Sequence, residues 1–367
     1  MSFTEKDVIN ALRHVDDPDL KKDLITLNMV KDVKVEGKKV SFTVVLTTPA
    51  CPLKERIRQD CENAVKEHVA EDLELDINMT ATVTSYVADK KSLSEVKNVI
   101  AIASGKGGVG KSTVTANLAV ALAQTGAKVG IIDADIYGPS MPTMFNMENA
   151  RPGVVEREGK TMMIPVEQYG VKILSIGFLT QPQDAVIWRG PMASSALRQF
   201  ITDTEWGELD YLFVDLPPGT GDIHLSLVQN ASVTGAVIVT TPQKVALADA
   251  QRGLSMFQSQ SVNVPVLGVV ENMAYFTPEE LPDNQYYIFG RDGGKLLSSR
   301  YEVPFLGEVP IVQGIREGGD AGEPIVMDEN SPVSKAFARI AEELARNVAI
   351  RNAAQSETER VEIKTWE

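Results

Sequence analysis

The run Ser104-Gly105-Lys106-Gly107-Gly108-Val109-Gly110-Lys111-Ser112-Thr113 carries the residue types that hold a polyphosphate. It fits Gly-x-x-x-x-Gly-Lys-Ser/Thr, opened by Gly105 and closed by Gly110, Lys111 and Ser112. The glycines let successive backbone N–H groups turn inward on phosphate oxygens. Lys111 adds a point charge, and Ser112 offers a hydroxyl to Mg²⁺. Such a loop works between a strand and a helix. Val99-Ile100-Ala101-Ile102-Ala103 reads as a buried parallel strand before it, and Ser112–Gln124 as a helix closed by Gly126 after it. A second lysine, Lys106, stands at the start of the loop. There it points away from phosphates cradled by its own chain and can reach those held by a second copy facing it.

Two further apolar runs end in carboxylates: Gly130-Ile131-Ile132-Asp133-Ala134-Asp135 and the stretch from Leu212 through Asp215 to Asp222. In an open α/β sheet, ligands sit beyond the carboxyl ends of the strands. Asp215 follows its strand directly. A carboxylate there holds a water of the Mg²⁺ while Ser112 and the phosphates ligate the ion. Gly219 and Gly221 suit a loop that moves with the γ-phosphate. Asp133 and Asp135 are two residues apart, and strand alternation would turn both toward the site. Asp133 is then expected to support the metal shell.

These groups need a scaffold, and the chain is long enough for two domains. It has 367 residues, a formal net charge of -14 and two cysteines. The acidity argues against nucleic acid as a main partner, which would call for a basic footprint. No basic, apolar leader is visible at Met1–Lys6 and no apolar run is long enough to span a bilayer, so a cytoplasmic protein without a membrane partner is expected. A polar stretch, 89–97, is taken as a linker. Before it, 1–88 reads as a small α+β unit. Thr4 caps a first helix running to about Val15, with Asp7 closing a capping box. A hairpin, Met29–Val35 with Lys39–Leu46, follows. Then come a second helix, about Leu53 to Val69, and a strand within Leu73–Val87. After the linker, 98–350 alternates strand and helix, the pattern of a doubly wound, mostly parallel α/β sheet. Strands are predicted at Val99–Ala103, Lys128–Ile132, Tyr211–Val214, Ala236–Thr240 and Val266–Val270. Helices are predicted at Ser112–Gln124, Ser194–Thr202, Ala246–Gln258 and Val333–Asn347. The segment 351–367 reads as a polar tail.

Gly-Lys-Gly-Gly-Val-Gly-Lys-Ser resembles the deviant P-loop of the MinD, ParA, nitrogenase iron protein and Mrp ATPases. The resemblance implies a P-loop NTPase fold and a nucleotide-sandwich homodimer in which Lys106 crosses to the partner's nucleotide. It implies ATP hydrolysis at the γ-phosphate, with Asp135 positioning or deprotonating the attacking water and with Lys111, Lys106 and Mg²⁺ neutralising charge. It also implies that Asn272, in Val269-Val270-Glu271-Asn272-Met273, reads adenine. The chain has no Asn-Lys-x-Asp guanine signature.

Within that group the chain is most similar to the Mrp-type iron–sulfur cluster carriers. The similarity rests on Asp133-Ala134-Asp135-Ile136-Tyr137-Gly138-Pro139-Ser140, Trp188-Arg189-Gly190-Pro191, Asp215-Leu216-Pro217-Pro218-Gly219-Thr220-Gly221-Asp222 and Val270-Glu271-Asn272-Met273. Asp17-Pro18-Asp19-Leu20 and Thr48-Pro49-Ala50-Cys51-Pro52 resemble the SufT-like domain of iron–sulfur assembly proteins. A DNA-partition ATPase would want a basic surface, and a MinD-type protein a basic amphipathic tail. Here residues 351–367 hold three basic and four acidic residues. A nitrogenase-type iron protein needs cysteines in the ATPase domain, which has none.

One departure stands out. Mrp-type carriers usually have Cys-x-x-Cys just after Glu-Asn-Met, pooled across a dimer around a [4Fe–4S] cluster. Here Ala274–Pro282 offers Glu279 and Glu280 but no cysteine or histidine. Thiolates are the usual cluster ligands. Cys51 is the remaining candidate ligand, placed just before Pro52 where a helix N-terminus would favour thiolate. Cys61 shares a helical face with Ile57, Ala64, Val65 and His68 and reads as core. On one helix the two sulfurs would be about 15 Å apart, too far for a disulfide. His14, His68 and His224 look scattered, with no metal spacing. Two readings stand. One is an ATP-dependent carrier that loads clusters onto apo iron–sulfur proteins. The other is a nucleotide-switched adaptor for iron–sulfur assembly factors that binds no cluster. A standalone metabolic NTPase or kinase would need a second substrate signature, and none is visible.

Overall fold

The computed structural model describes residues 3–85, 93–157, 159–179, 190–278, 280–281 and 283–354. Trp188, Arg189, Glu279, residues 89–92 of the expected linker and the residues after 354 lie outside the described residues. The chain forms two compact units, Met1–Thr84 with Ala349–Gln355, and Ser85–Val348 with Ser356–Glu367.

In the first unit α1 spans Glu5–Leu12. The Thr4 N–H and hydroxyl both donate to Asp7 Oδ2, at 2.7 and 2.8 Å, so the expected cap forms. The helix stops about one turn short of Val15. The chain there turns into two-residue strands, β1 (Asp16–Asp17) and β2 (Lys22–Asp23), that pair with each other. Asp17 Oδ1 accepts the N–H groups of Asp19 and Leu20 at 2.9 Å, a local bond that competes with helix. β3 (Val30–Glu36) and β4 (Lys39–Leu46) form the predicted hairpin, turned at Gly37 with φ 64°. α2 (Lys54–His68) leads to β5 (Glu74–Ala81), which lies parallel to β4. Alternation along β4 sends Val40, Phe42, Val44 and Leu46 to one face, where they pack with Leu12, Ile57 and Val65.

The second unit begins with β6 (Val99–Ala103), α3 (Lys111–Gln124), β7 (Val129–Asp133) and a single turn, α4 (Met141–Met144). A side hairpin, β8 (Gly153–Arg157) with β9 (Lys160–Ile164), precedes β10 (Val166–Gln168) and β11 (Val171–Ser175). Then follow α5 (Gly190–Thr202), β12 (Tyr211–Asp215), α6 (Asp222–Asn230), β13 (Gly235–Thr240) and α7 (Lys244–Gln258). β14 (Val266–Phe276), α8 (Gly293–Tyr301), β15 (Phe305–Ile311), α9 (Gln313–Ala321) and α10 (Pro332–Ala354) complete it.

Eight strands form one sheet in the order β10-β11-β7-β12-β6-β13-β14-β15. Every neighbouring pair is parallel except β10 with β11. Strands β6, β7, β12 and β13 are buried at every position, as a sheet covered by helices on both faces requires. All five predicted strands and all four predicted helices are present. β8 to β11, β15 and the short helices α4, α6, α8 and α9 were not predicted from the pattern. The order places β6 between β12 and β13, so the loops leaving β6, β7 and β12 open at one edge. No helix among the described residues is long and apolar enough to cross a membrane.

Candidate functional site

Residues 104–110 turn from β6 into α3 and form the floor of a cavity of about 210 Å³ lined by Gly107–Thr113, Asp135, Ser140 and Pro218. Two glycines are fixed by what they touch. A Cβ on Gly105 would lie 2.0 Å from the Asp249 carbonyl carbon of α7, and one on Gly110 would lie 2.2 Å from Asn272 Nδ2. Gly108 and Gly110 also take φ of 80° and 79°, which L side chains rarely adopt. Gly110 is the N-cap of α3 and supplies no side-chain cap, and the first turn carries no acid. The N–H groups there remain directed at the cavity, where an anion is the natural partner.

Lys111 and Ser112 open α3 against two carboxylates. Lys111 Nζ lies 2.9 Å from Asp215 Oδ1 and 3.6 Å from Asp135 Oδ2, with its side chain 6% exposed. Ser112 donates its hydroxyl to Asp215 Oδ2 at 2.5 Å. Thr115, one turn along the same face, donates to Asp215 Oδ1 at 2.7 Å. Three donors thus converge on one buried carboxylate at the end of β12. The Ser112 hydroxyl and the Asp215 carboxylate are hard oxygen donors, a set that fits Mg²⁺ with its retained waters.

Asp133 and Asp135 separate in role. β7 ends at Asp133, so strand alternation does not govern Asp135, which lies in the following turn and faces Lys111. Asp133 is fully buried and accepts from Ser175 Oγ at 2.8 Å, Met141 N at 3.2 Å and Asp135 N at 3.3 Å. It ties β7 to β11 and α4 and fixes the turn that carries Asp135. Burial, and next the Asp215 charge, push its carboxyl up from the usual range. Burial also raises Asp135, with Lys111 pulling the other way. Thr115 and Ser175 escaped the sequence reading. Thr115 sits four residues after Lys111, a spacing that puts both on one helix face. Ser175 lies on a strand that the pattern did not reveal.

Lys106 is exposed on the outer rim of the loop, in contrast to buried Lys111. Asn272 donates Nδ2 to the Val109 carbonyl at 2.8 Å, binding β14 to the loop. Next to it Met273 takes φ 55°, and the register of β14 against β15 shifts between Asn272 and Phe276. A second cavity, about 640 Å³, runs from Gly110 and Thr113 past Asn272 and Met273 to Pro310–Val312, Ile315 and Arg316. It continues the phosphate floor into a largely apolar chamber of a size suited to a base.

The sulfur chemistry is sparse. Cys61 is 0% exposed, and burial pushes its thiol up to about 12, with Asp60 and Glu62 adding to the rise. It belongs to the core, as its helical face predicted. Cys51 is half-buried and lies two residues ahead of Leu53, the N-cap of α2, and its carbonyl accepts from Lys54 N at 3.3 Å. The helix begins one residue later than expected, with Pro52 and Leu53 between Cys51 and its first turn, and a helix dipole fades within that turn. His14 and His68 are not scattered. Their rings stack with centroids 4.3 Å apart, because the ends of α1 and α2 meet. Among the described residues no three or more His, Cys, Asp or Glu side chains are placed to hold a metal ion.

Residues 95–345 match the family described as NUBPL iron-transfer P-loop NTPase, and residues 5–76 match the iron-sulfur cluster assembly protein family. An iron-sulfur cluster carrier protein of Synechocystis is 52% identical over 350 residues, spanning 95% of this chain and 99% of that protein. The chloroplastic Fe-S cluster assembly factor HCF101 of Arabidopsis thaliana is 44% identical over 343 residues, covering 91% of this chain and 62% of that protein. Among solved structures, a nucleotide-binding protein from Archaeoglobus fulgidus in complex with ADP is 39% identical. It aligns with a TM-score of 0.57 over 66% of this chain and 93% of that one.

Proposed function

Because the chain belongs to the NUBPL iron-transfer P-loop NTPases, we propose that it binds and hydrolyses ATP and carries iron–sulfur clusters to apoproteins. The observation that carries the nucleotide half is the convergence of Lys111, Ser112 and Thr115 on Asp215 beneath a glycine loop. Ser112 Oγ would ligate Mg²⁺ directly and Asp215 through a water. Held there, the ion would supply positive charge against the phosphates. Lys111 exchanges Asp215 and Asp135 for the phosphates. That exchange frees Asp135, whose raised pKa suits a base, to orient the attacking water. Asp133 holds the Asp135 turn in place. Asn272 stands at the mouth of the larger cavity, where its Oδ1 would accept from the adenine amine. Lys106, exposed at the rim, is the residue for a second copy's phosphates, which makes the working unit a homodimer.

Lys111→Ala is expected to lower turnover at least a hundredfold, as measured by phosphate release. Mixed dimers of Lys106→Ala and Lys111→Ala chains test the crossing. Recovery of activity only when Lys106 sits opposite an intact site supports it, and activity dependent on the same chain's Lys106 removes it.

The adaptor reading is favoured by the absence, among the described residues, of a group of three or more metal-binding side chains. Anaerobic reconstitution with iron and sulfide decides between the two. Visible absorbance with bound iron that Cys51→Ala abolishes supports the carrier. A parent protein that retains no iron supports the adaptor.

A further inference from the structure

Asp215 is joined to α6 by Leu216–Gly221, and this loop is fastened to the nucleotide site. The Gly219 N–H donates to the Ser104 carbonyl at 2.9 Å, and Pro218 lines the phosphate cavity. His224, the third residue of α6, is 1% exposed, and neither Nδ1 nor Nε2 has a hydrogen-bond partner. A neutral imidazole carries one N–H and one lone pair, and burying both unmet is unfavourable. A position needed only for packing would be apolar, as Ile223, Leu227 and Val228 on the same helix are. The ring lies against Phe257 of α7, centroids 6.4 Å apart, on the helix that also backs Gly105.

The Gly221 carbonyl stands in the turn that enters α6. It accepts the His224 backbone N–H at 3.1 Å, while neither ring nitrogen is in hydrogen-bond geometry with a partner. Burial holds the imidazole neutral, with one N–H to donate.

We propose that His224 is a positioning residue for the Asp215–Gly221 loop, its ring N–H donating to the Gly221 carbonyl when triphosphate draws the loop toward the γ-phosphate. The inference rests on the ATPase reading above. The loop then has two arrangements, and the one that sets Asp215 for hydrolysis gains a buried hydrogen bond that the other lacks. His224 is not among the residues lining the phosphate cavity, so its loss is expected to fall on kcat more than on KM.

The test compares the full-length parent with His224→Phe and His224→Gln in steady-state ATP hydrolysis. The expected result is a kcat at least tenfold lower for H224F with KM within twofold of the parent. H224Q, whose amide restores an N–H donor, should stay within threefold of the parent kcat. Full turnover by H224F overturns the proposal, and so does equal loss in H224F and H224Q. Should H224F not fold, H224L against H224Q makes the same comparison. A parent that hydrolyses no ATP sinks the ATPase reading itself. An active parent with an indifferent H224F sinks only this inference.

Discussion

At the scale of single residues, the proposed nucleotide site is one carboxylate shared by three donors. Asp215 is buried and takes Lys111, Ser112 and Thr115 together, so each donor depends on the others for its orientation. Thr115→Val keeps the shape and removes one of the three. It should cost about 1 kcal/mol of stability and lower ATP turnover severalfold, checked by urea titration and phosphate release. His224 gives a pH signature. Burial pushes its imidazole down to about 4, below the ordinary value of 6.5. Between those values the unfolded chain binds a proton that the folded chain refuses. This contribution is therefore complete above pH 6.5 and is lost as pH falls toward 4. Asp133, Asp135 and Glu271 are shifted up by burial and act with the opposite sign. They are common to parent and H224F and cancel in the difference. The stability of H224F relative to the parent should rise by about 3 kcal/mol from pH 7 to pH 4. A flat difference from denaturant melts would contradict a buried neutral ring.

At the scale of elements, the glycine loop is placed by what crowds it. Gly105 lies on the α7 backbone and Gly110 on the Asn272 amide, so the loop is wedged between α7 and β14. Gly105→Ala must displace main chain and should destabilise by about 3 kcal/mol. Gly107→Ala meets nothing nearer than Pro218 at 3.8 Å and should stay within about 0.5 kcal/mol. Chemical denaturation of the two variants checks the contrast. The local pattern of β6 and α3 was legible because an all-apolar run, a glycine loop and an alanine-rich helix follow one another without interruption. Strands β10 and β15 were not, since β10 has only three residues and β15 mixes buried with half-buried positions in no clean period. The early stop of α1 was likewise hidden. Beyond Leu12 the chain turns into the β1–β2 pair, and Asp17 holds the N–H groups of Asp19 and Leu20 in a turn that only the fold displays.

At the scale of the whole molecule, the C-terminal helix extends into the segment that reads as a polar tail. α10 runs on to Ala354, and Ala349–Gln355 joins the first unit, where Asn352 Nδ2 donates to the Thr84 carbonyl at 3.2 Å. Ending the chain after Val348 removes that bond and the buried Ala349 and Arg351. The first unit should then melt several degrees lower, while nucleotide binding by the second unit is kept. Calorimetry with and without Mg-ADP separates the two effects.

The residue types alone determined the nucleotide chemistry. A glycine loop with Lys111 and Ser112 offers phosphate its backbone N–H groups and a charge, and both are written into composition and spacing. They also determined that Cys61 belongs to a core, through helical period. Tertiary structure decided what spacing does not encode. The strand order brings Asp215 and Asp135 to Lys111 across more than a hundred positions and about twenty. It parts Asp133 from Asp135 by ending β7 between them, and it stacks His14 on His68. It also buries His224 without a partner. Each of these is a distance between residues remote in the chain, fixed by how sheets order and helices pack.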